Sequence, residues 1–421
     1  MALEDDRGLP LATGSREARD AYCDGVARLL CARPGIEVAL QAAVAADPGF
    51  ALAHAALARA YQAHGRGAPA REAIAAARAC AAAASERERS HVHALDRVVA
   101  GDADGAFAAI VAHLGRWPRD VLVMAPCAGV FGLFGFSGRE GRERALREFL
   151  EPFAPALGDD GWYLASRGFA RCETGALAAA RADVERALAL EPHNAHAAHV
   201  HAHVGYEEAE DAAVLAWLRE WLADYPRAGM MHGHLHWHLA LAALALGDLA
   251  GARATYAAAI APAASWGPPL NRVTDTTSFM LRAALCGEPV APEVWHELAE
   301  VARCTYPQPG VGFADAHVAL ALAMAGEHAA LARLRERAGG PAGDVVVALL
   351  DAFVAFARGD DAGTLRALEP VLPRHERIGG SRAQRDLIEQ LAWVAMRRGG
   401  LDVGWRPRPG RPMPPGLRTA A

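Results

Sequence analysis

Glycine residues recur along this chain at a nearly constant spacing, each at the predicted end of a helix. Their separations are 36, 37, 37, 72, 40, 39 and 33 residues, and the glycines are Gly65, Gly101, Gly138, Gly175, Gly247, Gly287, Gly326 and Gly359. The residue that follows is often acidic or polar and is suited to cap the next helix. A period of about 34 to 45 residues built from helix pairs is typical of an α-solenoid, in which each pair buries its apolar face against its neighbours. The 72-residue interval then corresponds to two repeats.

The composition agrees with a helical chain, because 52% of the residues are hydrophobic but only 7% are aromatic, and the excess is alanine. In the repeat that begins at Ala165, the positions of the tetratricopeptide pattern hold Gly168, Gly175, Ala180, Val184, Ala187 and Pro192. We predict an all-α fold, a right-handed α–α superhelix of diverged tetratricopeptide-like helix pairs. The solenoid is expected over residues 16–402, after a flexible N-terminus, 1–15, and before a tail, 403–421, that is rich in proline and arginine.

Charge and residue usage exclude several classes of function. The net charge is −6, with acids and arginines interleaved, so no nucleic-acid partner is expected. The chain contains no lysine, which excludes Schiff-base chemistry and a Walker A motif. Its seven cysteines form no C-x-x-C pair, and no apolar run is long enough to span a bilayer. We expect a cytoplasmic protein without a membrane partner.

Histidines are concentrated between residues 193 and 241, which hold nine of the 18 in the chain. Two pairs have i, i+4 spacing on predicted helices, His199 with His203 and His234 with His238. This spacing places each pair on one helical face. If the two helices pack side by side, four imidazoles meet at one place.

Four stretches together resemble the tetratricopeptide-repeat protein 38 family, and the resemblance covers residues 22–391. They are Arg87 to Val92 (RERSHV), His199 to His203 (HVHAH), His234 to Leu241 (HLHWHLAL) and Gly379 to Asp386 (GGSRAQRD). Asp275 and the triplet Asp315-Ala316-His317 also look like family positions. The chain departs from the family at Gly205-Tyr206, where the family has a His-Glu pair. The resemblance implies a helical-repeat fold and names no reaction.

These residues predict an inner pocket lined by histidine, aspartate and arginine, which binds a small molecule and acts on it by histidine acid–base chemistry. Candidate catalytic residues are His238, His234, His203, His199, Asp275 and His317. Candidate ligand-binding residues are Trp237, Asp315, Gln384, Arg385, Asp386 and His91. Arg385 is expected to hold an anionic group, whereas Ser381 with Gln384 also fits a helix N-cap. His238 is the residue we expect to matter most.

Two alternative functions fit the same residues. Imidazoles on neighbouring helices, joined by Asp275 or Asp315, are the ligand types of a zinc, iron or manganese enzyme. A scaffold that binds a peptide or protein in its concave face is the common use of helical repeats, and Trp237 would then anchor the partner. The histidines also have a purely structural interpretation, as hydrogen-bonded packing residues. We assign no metal ligand, no particular cofactor is indicated, and the sequence does not decide whether the protein is an enzyme.

Overall fold

The computed structural model describes residues 3–401, 403–406, 411, 413–414 and 416–417. Its first eleven helices are α1 Arg16–Leu30, α2 Ile36–Ala46, α3 Ala51–Ala63, α4 Gly67–Ala81, α5 Glu86–Ala100, α6 Ala103–Leu114, α7 Val121–Met124, α8 Arg142–Leu150, α9 Ala154–Leu157, α10 Gly161–Glu173 and α11 Leu177–Leu190. The next eleven are α12 Ala195–Glu207, α13 Asp211–Ala223, α14 His232–Ala245, α15 Leu249–Thr255, α16 Pro269–Leu285, α17 Pro292–Thr305, α18 Gly312–Met324, α19 His328–Arg337, α20 Gly343–Ala357, α21 Asp361–Leu368 and α22 Arg382–Gly399. Short 3-10 turns cover Glu151–Phe153 and Leu372–Ile378, and a π-helical turn covers Tyr256–Ile260. None of the described helices has the length and apolar character needed to cross a membrane.

The glycine spacing marks real helix ends. All eight glycines have φ between +68° and +87°, the left-handed region in which a side chain is strained. At each of them except Gly138, the N–H of the next residue bonds to the carbonyl five residues earlier, as Asp248 does to Ala243 at 2.9 Å. This is the hydrogen bond of a Schellman C-cap. Seven of the eight glycines therefore terminate helices as predicted, whereas Gly138 lies among the turns between α7 and α8.

The 72-residue interval contains a helix end of the same kind, but the residue there is alanine. Ala209 has φ +59°, and the N–H of Glu210 bonds to the carbonyl of Gly205 at 2.8 Å. Ala32 repeats this arrangement near the start of the chain, with φ +52°. Both alanines adopt a backbone conformation that glycine adopts at lower cost.

Aspartates that follow these turns cap the next helix. Asp102, Asp248 and Asp360 each accept a hydrogen bond from the backbone N–H three residues later, at 3.0, 2.8 and 2.7 Å. The N–H belongs to a glycine each time, and a Cβ at Gly105 would lie 2.2 Å from the Asp102 carboxylate. The sequence Gly-Asp-x-x-Gly thus ends one helix and starts the next.

The chain divides into two compact units. Unit 1 comprises residues 1–133, 146–168 and 182–198, and unit 2 comprises residues 134–145, 169–181 and 199–421. In unit 2, α14 packs against α13, α15 and α16, and α16 packs against α17, α18 and α22. Helices stack on their neighbours in sequence, which confirms the predicted all-α solenoid class. The domain boundaries drawn from the sequence stay predictions.

Unit 1 begins with a short antiparallel pair, β1 Leu3–Glu4 and β2 Pro10–Leu11. Its carbonyl at Pro10 accepts a hydrogen bond from Arg87 at 2.7 Å, and the N–H of Ala12 donates to Glu88 at 2.8 Å. Residues 3–12, part of the segment predicted to be flexible, therefore make specific contacts with α5.

The proline- and arginine-rich tail also makes contacts within unit 2 where it is described. Arg411 is 9% exposed, donates to both carboxylate oxygens of Asp211 at 2.9 and 3.0 Å, and stacks 3.6 Å above the Tyr206 ring. Two further tail arginines, Arg408 and Arg418, lie outside the described residues.

Candidate functional site

Helices α12 and α14 bring the four predicted histidines together in unit 2. His199 and His203 lie one turn apart on α12, and His234 and His238 lie one turn apart on α14. The ring centroids of these four residues, which we call the histidine cluster, lie 4.5 to 5.0 Å apart in the five pairs in contact. Their exposed fractions are only 0 to 7%. The i, i+4 spacing thus produces one buried group of imidazoles.

A chain of close polar contacts runs through the cluster from Asp275 on α16. The Asp275 carboxylate lies 2.8 Å from His234 Nδ1, and His234 Nε2 lies 3.1 Å from His199 Nε2. His199 Nε2 in turn lies 2.9 Å from His203 Nε2. Because a carboxylate only accepts, it places the His234 proton on Nδ1 and leaves a lone pair on Nε2 of the neutral ring.

Glu173, the last residue of α10, lies at the other end of this chain. Its Oε1 is 3.7 Å from His203 Nδ1, and neither atom has a hydrogen-bond partner among the described residues. Burial, followed by the charge of Glu143, raises the pKa of Glu173 to about 8. The sequence analysis missed this residue. A signal was present, because an acid in the last turn of a helix is disfavoured by the helix dipole.

Burial favours the neutral form of two cluster histidines, His203 and His238. It lowers the pKa of His203 to about 3, with His234 acting in the same direction. It also lowers the pKa of His238 well below its usual value, helped by His203 and His234. His238 Nε2 has no hydrogen-bond partner among the described residues. The neutral imidazole is the form that accepts a proton or binds a metal.

Trp237, predicted as a ligand-binding residue or groove anchor, packs directly against the cluster. Its ring stacks on His234 with centroids 5.3 Å apart and an interplanar angle of 10°, and its Nε1 donates to Ser278 at 3.1 Å. The Arg282 guanidinium lies 5.4 Å from the ring centroid. Since Trp237 is 0% exposed, its surroundings are those of a packing residue.

Asp315 and His317 on α18 use other partners. His317 Nδ1 donates to the Phe313 carbonyl at 2.8 Å, and burial lowers the pKa of His317 to about 4. Asp315 accepts from the Gly310 N–H at 3.0 Å, and burial raises the pKa of Asp315 to about 6. No hydrogen bond between the described residues joins either side chain to the histidine cluster.

The Gly379 to Asp386 motif starts α22. Ser381 and Gln384 form a capping box, with Gln384 Oε1 accepting from the Ser381 N–H at 2.9 Å, which agrees with the predicted N-cap. Arg385 donates to Glu143 and to the Gly380 carbonyl, so its guanidinium already has an anionic partner inside the protein. Asp386 accepts from the Tyr206 hydroxyl at 2.8 Å. Tyr206 stands where the resemblance leads one to expect glutamate.

His91 belongs to unit 1 and to a different polar group, the Asp120 cluster. One Asp120 oxygen accepts from Arg87 at 2.7 Å, His91 Nδ1 at 2.9 Å and His113 Nε2 at 3.2 Å. Burial opposes ionisation of Asp120, but these partners outweigh it and hold its pKa well below the usual range. His91 Nδ1 thus has a carboxylate partner, whereas its Nε2 is buried and has no hydrogen-bond partner among the described residues.

Comparison with known proteins adds no functional assignment. No protein-family model matches the chain. Among solved structures, the chain is similar to the TPR domain of P58(IPK), with 13% sequence identity and a TM-score of 0.21, over 91% of this chain and 99% of that chain. A similarity at this level does not assign a function.

Proposed function

We propose that the histidine cluster of unit 2 is the functional centre of a helical-repeat protein that binds a small polar molecule and acts on it by proton transfer. The observation that carries this proposal is the 2.8 Å contact between Asp275 and His234 Nδ1, which continues through His199 to His203. A carboxylate that fixes an imidazole tautomer leaves the opposite nitrogen free to take a proton.

Glu173 supports the same chemistry from the far end of the chain. With its pKa raised to about 8, it keeps its proton at neutral pH and lies 3.7 Å from His203 Nδ1. A proton donor near His203 and a carboxylate at His234 are the kinds of group that general acid–base catalysis uses.

A small molecule suits this centre better than a peptide. The histidine cluster and Trp237 are almost completely buried, whereas a peptide groove needs exposed anchor residues. We also infer that the chain is a diverged member of the tetratricopeptide-repeat protein 38 family, because the histidine cluster and the α22 start both lie in its matching motifs.

The test compares His238→Gln with His236→Gln, a control on the same helix whose Nδ1 instead contacts the His232 carbonyl at 2.8 Å. Thermal melts are recorded with a panel of small carboxylates, phosphates and amino acids. A ligand at 100 times its Kd stabilises the folded state by about 2.7 kcal/mol. We expect such a shift in the wild type and in the control, and its loss in His238→Gln. A His238→Gln protein that melts early yet binds normally would mean that His238 is structural.

A further inference from the structure

The ring nitrogens of the histidine cluster have the spacing of a metal site. One nitrogen from each of His199, His234 and His238 lies within 4.8 Å of the others. The Nε2 atoms of His199 and His203 are 2.9 Å apart, and those of His199 and His234 are 3.1 Å apart. Zinc–nitrogen bonds of about 2.0–2.1 Å place two nitrogens of a tetrahedral site about 3.4 Å apart. A shift of a few tenths of an ångström would open these two nitrogen–nitrogen contacts to that spacing.

Hydrogen bonds between neutral rings do not satisfy all of these nitrogens at once. The His234 proton lies on Nδ1, facing Asp275, so its Nε2 presents a lone pair to His199. With neutral rings, His199 Nε2 either donates a proton to His234 or accepts one from His203, and one nitrogen cannot do both. A cation at the centre would accept all the lone pairs together.

His238 provides an independent observation. Its side chain is 3% exposed, its ring contacts those of the other three histidines, and its Nε2 has no hydrogen-bond partner among the described residues. A buried nitrogen without a hydrogen-bond partner destabilises the folded state. Metal coordination would remove this cost.

Carboxyl groups lie behind two of the histidines. Metal-bound imidazoles commonly donate their second N–H to a carboxylate, which orients the ring and raises its basicity. Asp275 occupies this position for His234 at 2.8 Å. Glu173 lies 3.7 Å from His203 Nδ1 and has an unsatisfied oxygen directed to the same ring. Asp275 therefore has the position of an outer-shell partner of His234.

The Asp120 cluster of unit 1 also brings nitrogens and an oxygen close together, but its charge balance is different. His91, His113 and Asp120 also lie close enough to share an ion. There, however, Arg87 donates to the same carboxylate oxygen and supplies the positive charge. In unit 2, the guanidinium described beside the cluster is that of Arg282. It donates to the backbone carbonyls of Ser278, Ala383 and Gln384 and to none of the cluster nitrogens.

We propose that the histidine cluster holds a divalent transition-metal ion, with His199, His234 and His238 as ligands and His203 beside them. An all-imidazole set selects ions of the zinc, copper, nickel and iron class over magnesium and calcium. This inference rests on the proposed function only in taking the cluster as the functional centre, because a metal at His234 Nε2 would use the lone pair to which that function assigns proton transfer.

The test uses the full chain, free of any histidine tag, stripped with a chelator and titrated with zinc chloride in a calorimeter. The wild type should bind one ion. His234→Gln and His238→Gln should each lose more affinity than the roughly 10- to 100-fold that removal of an outer-shell partner costs. His236→Gln and His113→Gln, the latter in unit 1, should bind like the wild type. Absence of binding, unchanged affinity in both cluster variants, or loss in His113→Gln would overturn the assignment.

A second measurement uses the wild-type chain alone, so its outcome does not depend on whether the variants fold. Cobalt added to the stripped wild-type chain should give the visible absorption of a four-coordinate ion with nitrogen ligands, and an octahedral aqueous spectrum would contradict the proposal. The outcomes also separate the two proposals. Zinc binding at the cluster without any small-molecule ligand would retain the metal site and reject the proposed function. Small-molecule binding that depends on His238, in a chain without zinc affinity, would retain the proposed function and reject the metal site.

Discussion

Replacing Asp275 by asparagine tests the outer shell of the histidine cluster. The Asp275 carboxylate accepts from His234 Nδ1 at 2.8 Å, from Asn271 at 3.3 Å and from Thr274 at 3.3 Å. Asparagine has the same size and keeps one acceptor oxygen, but it loses the negative charge. The Asp275→Asn variant therefore changes the electrostatics at His234 with little change in packing.

The expected effect is on metal affinity. Loss of an outer-shell carboxylate behind a ligating histidine weakens metal binding by roughly 10- to 100-fold. At about 1.4 kcal/mol per tenfold, this is about 1.4 to 2.8 kcal/mol of binding free energy. The short 2.8 Å contact and the burial of both side chains favour the upper part of this range.

The assay is competition for zinc between the protein and a chromophoric chelator. Asp224→Asn is the matched control, because Asp224 ends α13 in the same unit, is exposed, and undergoes the same change of charge. We expect weaker binding only in Asp275→Asn. Equal zinc affinity in Asp275→Asn and the wild type, or an equal loss in the control, would refute the outer-shell role.

Three further predictions concern stability and are checked by urea denaturation. Ala209→Gly should raise the free energy of unfolding by about 1 kcal/mol, because Ala209 has φ +59°. The control, Ala212→Gly on the exposed face of α13, should lower it by about 1 kcal/mol. A loss of stability in Ala209→Gly would contradict the turn assignment. Asp120→Asn should lower it by about 3 kcal/mol or more, since Arg87 and two histidines lose their buried carboxylate, and it should leave the zinc stoichiometry unchanged. Asp315→Asn should gain stability relative to the wild type as the pH rises from about 4 to 6. The pKa of Asp315 is raised from 3.8 to about 6, so in this window the native state keeps a proton that the unfolded state has lost, and wild-type stability falls; a difference that is independent of pH would contradict this.

The fold was predictable because glycine has a physical reason to stand at these helix ends. A residue with φ near +75° is usually glycine, so the turn can be recognised from the glycine in the sequence. The helix end at Ala209 was not visible, because tertiary packing holds an alanine in the same conformation. The period alone indicated that an end lies there.

The candidate site was predictable where its residues share a helix. The i, i+4 rule placed His199 with His203 and His234 with His238. It could not show which residue of a distant helix would face them. Glu173 was therefore missed, although Asp275 was found through its motif. Contacts between helices that are far apart in sequence depend on packing that no local pattern records.

Other residues were assigned a binding role because polar side chains in motifs often face ligands. Arg385 and Gln384 instead make their described contacts within the protein, the first with Glu143 and the second in the cap of α22. His91 joins Asp120 in unit 1. A buried charge needs a partner, so a motif can be set by internal pairing as well as by function.

Anomalous diffraction at the zinc edge, from crystals of the full chain loaded with zinc, tests the central claim most directly. The account predicts one anomalous peak in unit 2, about 2.0–2.1 Å from nitrogens of His199, His234 and His238, with Asp275 still bonded to His234. A cluster without a peak in zinc-loaded crystals, or a peak at the Asp120 cluster or on the surface instead, would contradict it.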